Sequence, residues 1–251
     1  VPGIRDRNIG IWQDVHLRFT NGIRLHDTQL VTHLALPDTT VAEITVRTEV
    51  ENLQPIAKQV SVDLNLEGKK VTQEVNLAPK ERKTVVFTPD VHKTLELKSP
   101  RLWWPNNYGR QELYTMDVVV AEKGVSSDSK KVRFGVRELS YELEVCFPDD
   151  SIRRVEYRPT VMGQGEPIFD NINRKYIEGG MCMPRLKKNV SSDILVPAPD
   201  KAMQHYMVIK VNGKRIFCKG GNWGMDDAMK RVSREHLEPY FRLHKEANFN
   251  M

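Results

Sequence analysis

Cysteine is scarce in this chain: three among 251 residues, at Cys146, Cys182 and Cys218, odd in number and far apart. That spacing excludes a CxxC zinc or redox motif and argues against a disulfide framework, so free and mostly buried thiols are expected. Long apolar runs are missing too. No stretch approaches the roughly 18 apolar residues of a membrane-spanning helix. No apolar run follows the basic start at Val1-Pro2-Gly3-Ile4-Arg5, so neither a signal peptide nor a membrane anchor is expected. Neither sign of charge dominates, since 38 Lys and Arg are interspersed with 33 Asp and Glu for a formal charge of +5. Lys130-Lys131 and Lys187-Lys188 read as solvated faces, and basic residues without interleaved exposed aromatics give no nucleic-acid signature. The seven histidines include no pair at i and i+4 and no HExxH, and GxSxG, P-loop and GxGxxG motifs are absent. No metal and no cofactor is therefore expected.

What is present is β-structure. From about residue 28 to 139 the chain reads as short alternating runs at 30–36, 42–50, 60–66, 71–77, 85–87, 113–120 and 130–136. Glu67-Gly68-Lys69-Lys70 and Glu122-Lys123-Gly124 read as hairpin tips. About seven strands in about 110 residues fit an immunoglobulin-like sandwich. With no cysteine in that stretch, apolar packing must hold its two sheets. Residues 145–205 hold six of the fourteen prolines and little sustained periodicity, and read as a packed insertion containing a hairpin, anchored by Tyr157, Phe169, Tyr176 and Ile177. Regular alternation returns at 206–211, then the Asn212-Gly213 turn, then 215–219, a strong hairpin signal. Leu237, Tyr240, Phe241 and His244 fall at helical spacing behind Ser233, a plausible N-cap, with Arg242, Lys245 and Glu246 facing out. Strand, polar loop and helix form the opening βα unit of an α/β domain. Residues 10–19 alternate as a strand without a preceding partner, and the chain stops directly behind the helix, so a segment of a larger protein is expected.

The chemistry-bearing loop is 219–229, Lys-Gly-Gly-Asn-Trp-Gly-Met-Asp-Asp-Ala-Met, at the C-terminal end of that strand. Asn222 supplies a donor and an acceptor, Trp223 a flat apolar face, and Asp226 and Asp227 carboxylates for hydroxyl groups, a set suited to a sugar ring. The same residues also read as core (Trp223) and helix cap (either Asp). Adjacent aspartates do not make a glycosidase pair, which needs two carboxyls about 5–5.5 Å apart across the scissile bond in a retaining enzyme. Trp103-Trp104-Pro105 reads as packing in preference to a sugar platform.

The order of these motifs resembles glycoside hydrolase family 2, the β-galactosidase, β-glucuronidase, β-mannosidase and exo-β-glucosaminidase group. Gly10-Ile11-Trp12-Gln13-Asp14-Val15 is similar to the closing strand of its sugar-binding jelly roll, and Leu102-Trp103-Trp104-Pro105 with Leu113-Tyr114 to the end of its immunoglobulin-like domain. Phe134-Gly135-Val136-Arg137 resembles its FGxR hinge. The stretch from Val211-Asn212-Gly213 to Lys219-Gly220 resembles the approach to its barrel, followed by an Asn-Trp loop of the β-mannosidase-like type, and Lys245 to Met251 resembles its KxxNFNxxR stretch. The resemblance spans nearly the whole chain except 145–205. It implies a mainly β chain: the last jelly-roll strand at 1–20, an immunoglobulin-like β-sandwich at 21–140, a connection at 141–205, and the truncated start of a (β/α)8 barrel at 206–251. It further implies retaining hydrolysis of terminal β-linked sugars, with both catalytic glutamates beyond Met251, so that the 251 residues alone would be inactive and hold no catalytic residue. Asn222, Trp223, Asp226 and Asp227 would then be substrate contacts, and Trp103, Trp104 and Arg137 interface residues toward the neighbouring domains. A periplasmic or secreted location is expected from the resemblance alone. The rival reading is a complete, non-enzymatic carbohydrate-binding or structural sandwich with Trp103, Trp104 and Trp223 as platforms.

Overall fold

Apolar and polar residues alternate with a period of two through the first half of the chain, and each such run becomes a strand in which alternate side chains point to opposite faces. The structure is a computed structural model that describes residues 11, 14–162, 167–176, 182–191, 195–198, 207–222 and 233–251. Among these, β1 (Ile23–Leu34) pairs antiparallel with β2 (Val41–Asn52). A second hairpin, β3 (Lys58–Leu66) and β4 (Lys69–Leu77), turns at Glu67-Gly68. Next come β5 (Arg82–Phe87) and the short β6 (Glu96–Lys98), both on the free side of β2. A third hairpin, β7 (Tyr114–Glu122) and β8 (Val125–Phe134), adds to β3. One sheet is therefore β1-β2-β5 with β6, and the other is β4-β3-β7-β8.

Ala42, Ile44, Val46, Val50 and Phe87 from one sheet meet Val60, Val62, Leu64, Met116 and Val118 from the other in one buried cluster. At about 25 cal/mol per Å² of apolar surface removed from water, this core is the main force holding the two sheets together. Polar groups that enter it are satisfied. Asn52 donates through Nδ2 to Ile56 O (2.7 Å) and Ala78 O (3.0 Å) and accepts from Gln54 N–H (3.0 Å). Asp128 on β8 ties that strand to β1 by accepting the Leu25 N–H (2.7 Å), and its carboxylate pairs with Arg18.

Beyond the sandwich, residues 139–216 build a third sheet. Its strands are β9 (Leu139–Cys146), β10 (Ile152–Tyr157), β11 (Phe169–Tyr176), β12 (Cys182–Leu186), β13 (Val196–Pro197), β14 (Val208–Val211) and β15 (Lys214–Ile216), with a short helix α1 (Pro159–Met162) after β10. The stretch read as a packed insertion with a hairpin has several strands and a core of its own, formed by Val145, Phe147, Val155, Ile168, Leu186 and Leu195. Tyr157 and Phe169 anchor it edge to face with centroids 5.2 Å apart. Tyr176 does not; it is 71% exposed, because it lies at the far end of the edge strand β11. Ile177 lies outside the described residues. The thiols also depart from expectation: Cys146 is buried, whereas Cys182 and Cys218 are exposed, one at the start of β12 and one just past β15.

The other face of the third sheet is charged and still buried. On β9, Ser140, Glu142 and Glu144 alternate with Tyr141, Leu143 and Val145. Glu142, 1% exposed, accepts from Arg215 (2.7 and 3.1 Å) and lies 3.6 Å from Lys210 and 3.8 Å from Arg154. Glu156 on β10 accepts from Lys210 (2.6 Å) and Arg158 (2.9 Å). Carboxylates and cations meet on one sheet face, so each charge finds a partner where it would otherwise be stranded away from water.

Hairpin β14–β15 turns on Asn212 and Gly213, both in the left-handed region at φ +49° and +80°, as a two-residue hairpin turn requires. Asn212 is also the joint between this hairpin and the sandwich. Its N–H donates to Glu138 O (2.8 Å), its Oδ1 accepts the Glu138 N–H (2.9 Å), and its Nδ2 donates to Trp103 O (3.1 Å). Glu138 in turn accepts through Oε2 from Leu34 N–H (2.9 Å) and His33 Nδ1 (3.0 Å) on β1. Helix α2 (Arg234–Glu246) starts as predicted at Ser233, whose hydroxyl accepts the His236 N–H (3.2 Å).

Two predictions follow from these polar contacts. Asn212→Ala leaves Trp103 O and Glu138 N–H unpaired in a buried site and should lower unfolding stability in urea by about 2–3 kcal/mol. Asn212→Gly, which relieves the backbone, should recover only a fraction of that loss. Burial alone pushes the Glu156 carboxyl up, but hydrogen bonds from Lys210 and Arg158 outweigh it and hold the group below the ordinary carboxylate range. Its stabilisation is thus present above about pH 4.3 and lost as pH falls through the lower folded-state value. Glu156→Gln should therefore destabilise the chain at pH 7, and the gap between variant and wild-type urea midpoints should narrow below pH 4.

Candidate functional site

The loop singled out from sequence begins at the end of hairpin β14–β15. Phe217 to Asn222 follows β15, and the end of the chain, after helix α2, lies beside it. The Asn250 N–H donates to Lys219 O (2.9 Å), its Oδ1 accepts the Lys219 N–H (2.8 Å), and its Nδ2 donates to Phe217 O (3.0 Å). Gly220 passes so close to Met251 that a Cβ there would sit 2.4 Å from its carbonyl oxygen, so only glycine fits this approach. Asn250 therefore holds two chain segments together through one side chain and one backbone amide.

The sandwich reaches across to the same place through residues 104–108. Asn106 Nδ2 donates to Lys245 O (2.9 Å) and Phe249 O (3.1 Å), which are carbonyls at and just after the C-terminus of α2. Asn107 Nδ2 donates to Asn248 O (3.1 Å), and the Tyr108 hydroxyl accepts the Phe217 N–H (2.8 Å). Carbonyls at a helix C-terminus lack intrahelical partners, and the two asparagine amides meet that need. This loop was not singled out from sequence; the run Asn-Asn-Tyr after a proline reads only as a turn.

Between loop and helix lies a cleft of about 760 Å³, whose lining includes Asn106, Gln111, Gly220, Gly221, Asn222 and Phe241. Asn222 is exposed at its edge. Trp223, Asp226 and Asp227 lie outside the described residues, so of the four predicted substrate contacts the structure places Asn222 alone. Among the described lining residues there are amides that can donate to and accept from hydroxyls, apolar surface from Phe241 and Met251, and no carboxylate. Such a lining, which also includes His244 and Lys245, can bind a polyol; its described residues hold no carboxylate pair of the kind that retaining glycoside hydrolysis uses. Among the described residues no three His, Cys, Asp or Glu side chains converge as metal ligands, and no helix is long and apolar enough to cross a membrane.

The two tryptophans are structural. Trp103 is held between Gly135, where an added Cβ would come within 2.7 Å of it, and the Arg137 guanidinium, 4.5 Å from the ring centroid. Trp104 packs on Gly109, with Lys214 Nζ 5.2 Å from its ring.

Comparison with known proteins agrees with this architecture. A family model for glycosyl hydrolases family 2 matches residues 23–137, the extent of the sandwich up to Arg137. An exo-β-D-glucosaminidase of Streptomyces avermitilis is 34% identical over 138 residues, covering 55% of this chain and 15% of that protein. A mannosylglycoprotein endo-β-mannosidase of Lilium longiflorum is 25% identical over 258 residues, covering 99% of this chain and 21% of that one. The chain spans about a fifth or less of the length of these relatives. Among solved structures, the exo-chitosanase of Amycolatopsis orientalis superposes with a TM-score of 0.59 at 21% identity, over 93% of this chain and 20% of that one. A β-D-mannosidase of Dictyoglomus thermophilum gives 0.53 at 21% identity, over 92% of this chain and 21% of that one. At such identities the superpositions speak for the fold alone. Residues 23–137, the sandwich, match the glycosyl hydrolases family 2 model, and the chain is similar over that stretch to enzymes of this family.

Proposed function

We propose that the chain is the central part of a retaining exo-β-glycosidase that removes terminal β-linked sugars from oligo- or polysaccharides. The observation that carries this is the family match over the sandwich, in a chain whose relatives include several exo-β-D-glucosaminidases. On this reading the domains divide as the motifs suggest. Residues 1–20 are the closing strand of a jelly roll, 21–140 the immunoglobulin-like domain, 141–205 the connection and 206–251 the first βα unit of a barrel.

Two features support that division. Ile11, Val15, Leu17 and Phe19 are all exposed, apolar side chains that call for a partner surface. Phe217 and Lys219 are hydrogen-bonded to Asn250, with α2 between them in sequence, as neighbouring segments of a βα repeat would be. Asn222, and beyond it Trp223 with Asp226 or Asp227, would then present donor, acceptor and stacking surface to the sugar at the C-terminal end of the first strand. The glutamate pair would come from residues outside these 251, with the carboxyls about 5–5.5 Å apart for retention. The sandwich would act as a scaffold through Trp104 and the 104–108 loop, whose asparagines hold the end of α2.

A second reading, an endo-acting β-mannosidase, is favoured by one observation: the lily relative aligns over 99% of the chain, connection included. A sugar platform on a free-standing sandwich is disfavoured, because the Arg137 guanidinium already lies over the Trp103 ring.

The 251-residue chain should show no turnover of 4-nitrophenyl β-D-glucosaminide or β-D-mannoside. The longest polypeptide that carries it should hydrolyse one of them, and NMR should detect the β-anomer as first product. Inversion of the anomer would overturn the mechanism. Release of internal mannosyl linkages without turnover of either aryl glycoside would replace the exo reading by the endo one.

A further inference from the structure

Arg137 and Arg133 are exposed arginines four residues apart, and both line a groove of about 500 Å³ between the sandwich and helix α1. Most arginines of this chain that stand near acidic groups are paired with them: Arg18 with Asp128, Arg82 with Glu49, Arg101 with Glu67, Arg185 with Asp150 and Arg215 with Glu142. Among the described residues neither Arg133 nor Arg137 has a carboxylate partner. Arg137 is nevertheless held in place. Thr32 Oγ1 donates to its carbonyl oxygen (2.9 Å) and accepts its N–H (3.4 Å), and the guanidinium carbon lies over the Trp103 ring, 4.5 Å from its centroid. A guanidinium stacked on an aromatic face keeps its edge donors directed outward in a rigid fork, which matches a carboxylate with two parallel hydrogen bonds. Val31 and Leu113, 37% and 40% exposed, add an apolar border to the same groove.

We propose that this groove binds an acidic saccharide, with Arg137 taking the carboxylate of a uronic acid residue, Arg133 adding charge, and the apolar border covering the C–H face of the pyranose. The choice of a saccharide rests on the glycosidase reading; the preference for a carboxylate rests on the two arginines alone. The site would let the protein engage a substrate or matrix polysaccharide that carries uronic acids.

The test is a titration of the 251-residue chain with methyl β-D-glucuronide, methyl β-D-glucoside, N-acetylglutamate amide and inorganic phosphate. It is followed by the Trp103 indole N–H resonance, assigned with Trp103→Phe. The glucuronide should bind about tenfold more tightly than the glucoside, as expected for one charge-assisted pair. Arg137→Lys, which keeps the charge and loses the fork, should weaken it about tenfold; Arg133→Gln, away from the Trp103 ring, should weaken it several-fold. Urea midpoints check that both variants fold. Equal binding of glucuronide and glucoside, or no binding of either, overturns the proposal. Glutamate amide or phosphate binding as tightly as the glucuronide overturns the saccharide assignment and marks the groove as a site for acidic protein segments or free anions. Hydrolysis of neutral aryl glycosides by the longer polypeptide is independent of all these outcomes, so either reading can fail without the other.

Discussion

The attachment of hairpin β14–β15 to the sandwich depends on one buried side chain, Asn212. Its amide and backbone make three hydrogen bonds to Glu138 and Trp103, and Glu138 extends the chain of contacts to Leu34 and His33 on β1. A turn residue usually serves its own hairpin. Here the left-handed turn that asparagine tolerates also aims its side chain into the seam between two sheets, so one residue sets both the hairpin and its attachment. From there β14 pairs with β9, and the segment leaving β15 leads to Asn222.

A second set of contacts works from the other side. Asn106, Asn107 and Tyr108 bind the end of α2 and the start of the segment at Phe217, so the cleft that Asn222 borders is framed by the sandwich on one wall and by α2 on another. Between these two attachments lies the buried charged face of the third sheet. Its pairing of Glu142 and Glu156 with Lys210, Arg154, Arg158 and Arg215 constrains register more than it adds net stability, since buried ion pairs recover little beyond their desolvation cost. In the family reading, these contacts fix the orientation of a substrate loop relative to a scaffold.

Much of this was legible in the sequence, for physical reasons. Strands β2, β3, β4 and β7 bury one clean face, so their alternation is strict; hairpin tips carry Glu67-Gly68 and Lys123-Gly124; Ser233 caps a helix; Asn212-Gly213 marks a turn. What could not be read was long-range pairing. Glu142 and Glu144 on β9 look like residues of a solvated face, because nothing nearby in sequence announces that Arg154, Lys210 and Arg215 will reach the same face. The strands of residues 145–205 are short and interrupted by proline, which hides their period. Cys182 and Cys218 were expected inside because cysteine is usually buried, but each lies where the chain enters or leaves a short strand. Of the candidate site, Asn222 is placed and Trp223, Asp226 and Asp227 are not among the described residues.

If Asn212 is the joint on which the attachment of hairpin β14–β15 depends, its amide and that of Glu138 are protected by the global fold. Native-state hydrogen exchange measures this directly. The account predicts that the Asn212, Glu138 and Trp103 amides exchange with the same opening free energy as Val62 and Leu64 in the sandwich core, and respond to denaturant with the same slope. Exchange of the Asn212 and Glu138 amides through a low-energy local opening, while Val62 and Leu64 stay protected, would show a hairpin merely resting on the sandwich and would contradict the account.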